Sequence, residues 1–171
     1  MTDASRPAVG LRPLELLSAL AGHDVEFVVI GGFSLAAHGV VRGTKDVDIV
    51  PEPGRDNLGR LATVLADLDA KVDIGDLAPQ ELGIQPDADG LSAGGNWVLW
   101  TRLGRLDVLQ DVAGVRGYAP LRAGAVAFEI PGLSGTFLFA GLDELISMKR
   151  AAGRPQDLID IADLERARGS A

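Results

Sequence analysis

The chain has 171 residues, a net charge of −8 and no cysteine. This length suits a single domain over residues 1–171 with a core of its own, and the missing thiols exclude a disulfide framework or a thiolate metal site. No apolar run approaches the roughly 18 residues of a membrane span, and residues 1–10 are polar and contain proline rather than forming an apolar leader. A soluble, cytoplasmic protein with no membrane partner is therefore expected.

The charge is unevenly placed. Residues 46–90 hold eleven acidic and three basic side chains, while the rest of the chain holds thirteen of each sign. An acidic chain exerts no general pull on nucleic acid. That counts against a broad RNA-coating surface, but not against a small RNA end entering a site where a bound cation reverses the local sign.

In chain order, Leu14 to Ala21 predicts a short helix with Leu14 and Leu17 on one face, ended by Gly22. Val25 to Ile30 is a continuous apolar run of β-branched type and predicts a buried strand. After Gly31 and Gly32, Ser34 to His38 predicts two helical turns closed by Gly39. Asp46 to Val50 alternates acid and aliphatic, as a half-buried strand does, with Pro51 and Pro53 as its stop. Leu58, Leu61, Leu65 and Leu68 mark the core stripe of an amphipathic helix over Arg55 to Leu68.

Residues 76–95 are rich in Gly, Pro and Asp and read as a long surface loop. Trp97 to Arg102 and Arg105 to Gln110 predict a hairpin around Leu103-Gly104. Trp97 and Trp100 are read as core or rim residues. Two short strands, Ala125 to Ile130 and Thr136 to Ala140, precede a helix over Leu142 to Ala152. Pro155 then opens a last helix that runs to about Arg168. Strands and helices mixed in this order indicate an α+β fold with a mixed sheet.

Two short motifs carry the chemistry. Val28-Val29-Ile30 ends in Gly31-Gly32, and thirteen residues separate Gly32 from Asp46-Val47-Asp48-Ile49. Glycines at a strand end let a backbone approach a ligand closely. The helix that follows turns free N–H groups toward the same spot, which suits phosphate, and Ser34 adds a hydroxyl. Asp46 and Asp48 are two apart on a strand, so both carboxylates leave one face while Val47 and Ile49 enter the core. Two such carboxylates can bridge two Mg²⁺ ions roughly 3.5–4 Å apart. Other motifs fit poorly. An EF-hand loop from Asp46 would need glycine where Pro51 stands, and neither a P-loop nor a dinucleotide fingerprint is present. A tight turn and an exposed acidic strand are the plainer readings of either motif alone.

Together, the glycine pair and Asp46-Val47-Asp48-Ile49 resemble the signature of the nucleotidyltransferase-fold superfamily. Within it, the stretch Ile30 to Gly39, then Arg42-Gly43-Thr44-Lys45-Asp46-Val47-Asp48, is similar to the small bacterial proteins of the AbiEii and MenT toxin type. Met148-Lys149-Arg150 followed by Arg154-Pro155-Gln156-Asp157-Leu158-Ile159-Asp160-Ile161 is a second match. The resemblance implies a polymerase-beta-like α+β fold with a mixed central sheet flanked by helices, and with helices over about 142–168 completing the site. It implies a Mg²⁺-dependent transfer of a nucleoside monophosphate from a nucleoside triphosphate to an acceptor hydroxyl. The implied acceptor is RNA, with a tRNA 3′ end as the candidate, and the implied partner is a cognate antitoxin. Two alternatives stay open. One is adenylyl transfer to a small hydroxylated molecule such as an aminoglycoside, which the acidic segment would suit. The other is an inert nucleotide-binding module.

The resemblance also implies a third carboxylate on a facing strand. Asp107, flanked by Leu106 and Val108, is the candidate for a metal ligand or general base; pairing with Arg105 or Arg102 is the plainer alternative. Asp111 reads as a turn residue. Asp46, Asp48 and Asp107 are thus the expected metal ligands. Lys149, Asp157 and Asp160 join them as candidate catalytic residues, the choice between the two aspartates staying open. Gly31, Gly32, Ser34, Arg42, Thr44 and Lys149 are the expected nucleotide-binding residues, with Arg42 and Thr44 orienting phosphate or bracing their loop. Arg154 binds phosphate or solvates the chain break. His38 is read as a packing or capping residue.

Overall fold

A computed structural model describes residues 9–75 and 82–170. The apolar run becomes strand β1 (Phe27–Ile30), buried along its whole length. A strand with no exposed side needs cover on both faces, and β1 has it. Phe27 and Val29 join one buried cluster, while Val28 and Ile30 join a second one across the sheet. Before it lies helix α1 (Pro13–Gly22), and after it α2 (Gly31–Ala37), which starts at the first glycine rather than at Ser34. Strand β2 (Asp46–Pro51) follows and keeps Pro51 as its last residue, opposite Phe27. The leucine stripe forms α3 (Arg55–Asp67).

Past α3 come the two-residue strand β3 (Lys71–Val72) and the single-turn helix α4 (Ala88–Ser92). The expected loop over 76–95 therefore contains a helix, and residues 76–81 lie outside the described residues. The hairpin forms as β4 (Asn96–Thr101) and β5 (Gly104–Leu109). A helix absent from the sequence reading, α5 (Tyr118–Gly124), precedes β6 (Val126–Glu129) and β7 (Thr136–Phe139). Helices α6 (Leu142–Ala152) and α7 (Pro155–Gly169) close the chain where the proline and Gly153 place them.

The seven strands form one sheet in the order β3-β4-β5-β2-β1-β7-β6. Pairings β2 with β5 and β1 with β7 are parallel and the others antiparallel, so the sheet is mixed as expected. Leucines from α1 and α3 pack on one face, against Val29, Val47, Ile49, Leu106 and Val108. On the other face Leu35, Leu121, Leu145, Ile161 and Leu164, from α2, α5, α6 and α7, pack against Val28, Ile30 and Val50. Side chains alternate along β2, so Asp46 and Asp48 share this second face with Val50. Among the described residues no helix is long and apolar enough to cross a membrane.

Candidate active site

Strands β2 and β5 place the three acids together. Their parallel register sets Asp48 opposite Asp107 and Asp46 opposite Arg105. One carboxylate oxygen from each of Asp46, Asp48 and Asp107 lies within 4.8 Å of the others. The expected triad is therefore assembled, and β5 is an interior strand rather than an edge. The plainer pairing exists as well: the Arg105 guanidinium donates from Nε and Nη2 to the two Asp107 oxygens, each at 2.8 Å.

Burial and crowding of like charge both act on Asp48. Burial, then the neighbouring Asp46 and Asp107 carboxylates, push Asp48 up to about 7, although Arg105 and Lys149 pull the other way. Three converging carboxylates are hard oxygen donors of the kind that hold Mg²⁺. A cation there would relieve the repulsion that now favours a proton on Asp48.

The glycines have a packing reason as well as any ligand-binding one. Gly31 takes a positive φ of 66°, and a Cβ there would stand 2.1 Å from Asp48 Oδ2. At Gly32 a Cβ would stand 2.8 Å from the Thr44 side chain. Thr44 in turn donates its hydroxyl to the Asp46 carbonyl and carboxylate at 3.1 and 3.2 Å, so it braces the approach to β2. Ser34 differs from expectation. It is fully buried in α2, and its hydroxyl donates to the Ala140 carbonyl at 3.2 Å instead of facing the cleft. His38 reaches the same carbonyl through Nε2 at 2.8 Å, consistent with a packing role.

The C-terminal helices bring a second charged group to the same cleft. Lys149 Nζ sits 3.1 Å from Asp157 Oδ1 and 2.7 Å from Asp160 Oδ2, so both aspartates meet the lysine. Asp157, in the first turn of α7, also reaches back to the N-cap residue Arg154, accepting from its backbone N–H at 3.0 Å and its Nε at 2.8 Å. Burial alone would raise the Asp157 carboxyl, but hydrogen bonds from Arg154 and Lys149 hold it at about 2. Asp160 is buried too, yet Lys149, Gln156 and Arg42 keep it below the usual carboxylate range. Arg42 Nε lies 3.3 Å from Asp160 Oδ1 and ties the loop before β2 to α7.

These groups line a cleft with two lobes. The polar lobe, about 430 Å³, holds the three triad acids together with Arg42, Lys45, Arg105, Lys149 and Arg154. The other, about 200 Å³, is lined mainly by apolar side chains, among them Leu109, Val112, Leu145 and Met148. Gly31, Asp48, Lys149 and Arg154 border both lobes. The apolar lobe was missed in the sequence, where Arg105 entered only as an alternative partner of Asp107 and not as part of the site. The signal for Arg105 was its place two residues before Asp107 on a strand, which puts both on one face.

No protein-family model matches the chain, and no curated protein matches it by sequence. Solved structures do resemble it. The lincosamide antibiotic adenylyltransferase LnuA, with lincomycin bound, superposes at a TM-score of 0.59 and 13% identity, over 91% of this chain and 98% of that one. ANT(2″)-Ia in complex with adenylyl-2″-tobramycin gives 0.54 and 18%, over 91% of this chain and 84% of that one. At such identities the likeness speaks to the fold, and the chain has the nucleotidyltransferase fold.

Proposed function

We propose that the protein is a metal-assisted nucleotidyltransferase that moves a nucleoside monophosphate from a nucleoside triphosphate to an acceptor hydroxyl. The observation that carries this reading is the three-carboxylate cluster within 4.8 Å, set in a lobe otherwise rich in cations. In the reaction the acceptor oxygen attacks the α-phosphorus, a new P–O bond forms, and the bond to the β-phosphate bridge breaks, releasing pyrophosphate. The hydroxyl proton passes to a carboxylate of the cluster, Asp107 in this reading. Mg²⁺ held by Asp46, Asp48 and Asp107 supplies charge neutralisation at the phosphates when bound. Lys149, fixed by Asp157 and Asp160, and Arg154 face the triphosphate and stabilise its developing charge. The Gly31-Gly32 backbone and Arg42 complete the phosphate lobe, Thr44 keeps Asp46 in place, and the apolar lobe takes the nucleoside.

Five cationic side chains share the polar lobe with the three acids, and four of them are paired with aspartates, so the lobe suits a triphosphate with its metal and does not by its charge choose the acceptor. The proposed acceptor, RNA with a tRNA 3′ end as the first candidate, and the toxin role with a cognate antitoxin as partner, both rest on the sequence resemblance. A second reading, adenylyl transfer to a small hydroxylated antibiotic, is supported by the activities and ligands of LnuA and ANT(2″)-Ia.

The test is label transfer from each α-³²P nucleoside triphosphate, with Mg²⁺, into total RNA and into a panel of lincosamides and aminoglycosides. Label at tRNA size, abolished by Asp46→Asn, is expected. Label in the antibiotics alone would move the assignment to the second reading. No label in either pool, together with no magnesium-dependent nucleotide binding, would leave an inert module.

A further inference from the structure

Asp46, Asp48, Arg105 and Asp107 form a two-by-two block on one sheet face. Two positions come from each of two neighbouring parallel strands, and residues two apart on a strand point the same way. Three corners are acids and the fourth is a guanidinium. Its two bonds to Asp107 are 2.8 Å each, and its Nε also lies 3.7 Å from Asp46 Oδ2. The other charged groups nearby are engaged differently: Lys149 and Arg154 hold Asp157, and Arg42 holds Asp160. Among the described residues, Arg105 is the cation that hydrogen-bonds directly to the acidic cluster.

The acids themselves are held unequally. Asp48 is lodged where Gly31 lacks a side chain, and Asp46 accepts from Thr44. The carboxylate of Asp107 has its two bonds from Arg105. A bidentate guanidinium fork fixes a carboxylate plane in a way that one ammonium cannot. It also leaves further lone pairs on both oxygens for another ligand.

We propose that Arg105 is a built-in counter-cation of the cluster, with two separable effects. Its fork orients Asp107, and its charge lowers the affinity of the three carboxylates for a divalent ion. Arg105 is thus a positioning residue, acting through Asp107. The proposal rests on the reading of Asp46, Asp48 and Asp107 as the cation site.

The experiment uses the full chain with Mn²⁺ as the probe, its binding followed by electron paramagnetic resonance, alongside steady-state transfer kinetics and a thermal melt. Arg105→Gln removes the charge and the fork, and is expected to bind Mn²⁺ about tenfold more tightly, because a like charge has left a partly buried site. Arg105→Lys keeps the charge and loses the fork, so its Mn²⁺ affinity should stay within about threefold of wild type. Both variants should lose roughly tenfold or more in kcat with little change in KM for the triphosphate. If the glutamine variant fails to fold, the lysine variant decides alone: wild-type kcat there overturns the positioning role. Unchanged or weaker Mn²⁺ binding by a folded Arg105→Gln overturns the charge role. Absence of Mn²⁺ binding in wild type would sink the cation-site reading beneath the proposal, an outcome distinct from either. If no acceptor is labelled, the Mn²⁺ arm still tests the charge role.

Discussion

Asp48 shows how one side chain registers the whole site. Its carboxyl is pushed from 3.8 to about 7 by burial first and by Asp46 and Asp107 next. For a carboxyl raised on folding, the native state binds the extra proton. The stabilisation is complete below the unfolded value and is lost as pH rises through about 7. In chelator, the melting temperature should therefore fall as pH is raised from about 5 to about 8. Asp48→Asn should flatten that slope, and scanning fluorimetry at several pH values reads it; an equal slope in the variant rejects the assignment. Added Mg²⁺ should release close to one proton at about pH 6, because binding requires the carboxylate. Calorimetry in buffers of different ionisation enthalpy measures that release. The same neighbourhood explains what Gly31 does. The sequence suggested room for a phosphate, whereas the backbone shows room for Asp48 itself: a Cβ would stand 2.1 Å from its Oδ2.

The joint between α6 and α7 depends on one lysine. Lys149 is 7% exposed, and the two aspartates that hold it are 1% exposed each. Removing one partner of a buried pair leaves uncompensated charge and typically costs about 3–5 kcal/mol. Lys149→Met should therefore lower the unfolding free energy by about that amount in urea titrations; a loss below about 1 kcal/mol would show that water or another cation takes its place. Elements of this kind were legible where burial is periodic or a cap is explicit: the leucine stripe of α3, the Gly153 to Pro155 break, the alternation in β2. The short helices α4 and α5 were not. In α4 and α5 a single leucine each, Leu91 and Leu121, is buried, so no period exists to detect. Strand β3 is two residues long and is defined by its pairing with Leu99 and Trp100. Ser34 was misread for a related reason. Its partner, the Ala140 carbonyl, is 106 residues away in sequence, and only the pairing of β7 beside β1 brings the two together. The triad itself was readable, because Asp-x-Asp and a lone mid-strand acid are patterns of alternation. The Arg105 fork needed the observed geometry.

At the scale of the molecule, the fold separates charge from apolar surface within one cleft. The sheet supplies the acids and Arg105 on the face that α6 and α7 cover; Lys149 of α6, Arg154 at the start of α7, and Arg42 and Lys45 of the loop before β2 add the other cations. The second lobe opens beside Leu109 and Met148. A nucleoside triphosphate has the same two-part character, with a polyanionic tail and a flat, weakly polar base. If one ligand spans both lobes, they can be damaged independently. Ala113 borders the apolar lobe from an exposed position after β5, so added bulk there meets the lobe before it meets the core. Ala113→Phe should therefore weaken nucleoside triphosphate binding about tenfold or more, the loss expected when a base can no longer enter. Inorganic tripolyphosphate with Mg²⁺, which needs the polar lobe alone, should bind the variant as it binds wild type. Calorimetric titration of both ligands into both proteins decides the matter. Equal losses for the two ligands would mean that the substitution disturbs the polar lobe as well. Undiminished nucleotide binding would mean that the base lies elsewhere and would leave the apolar lobe to the acceptor.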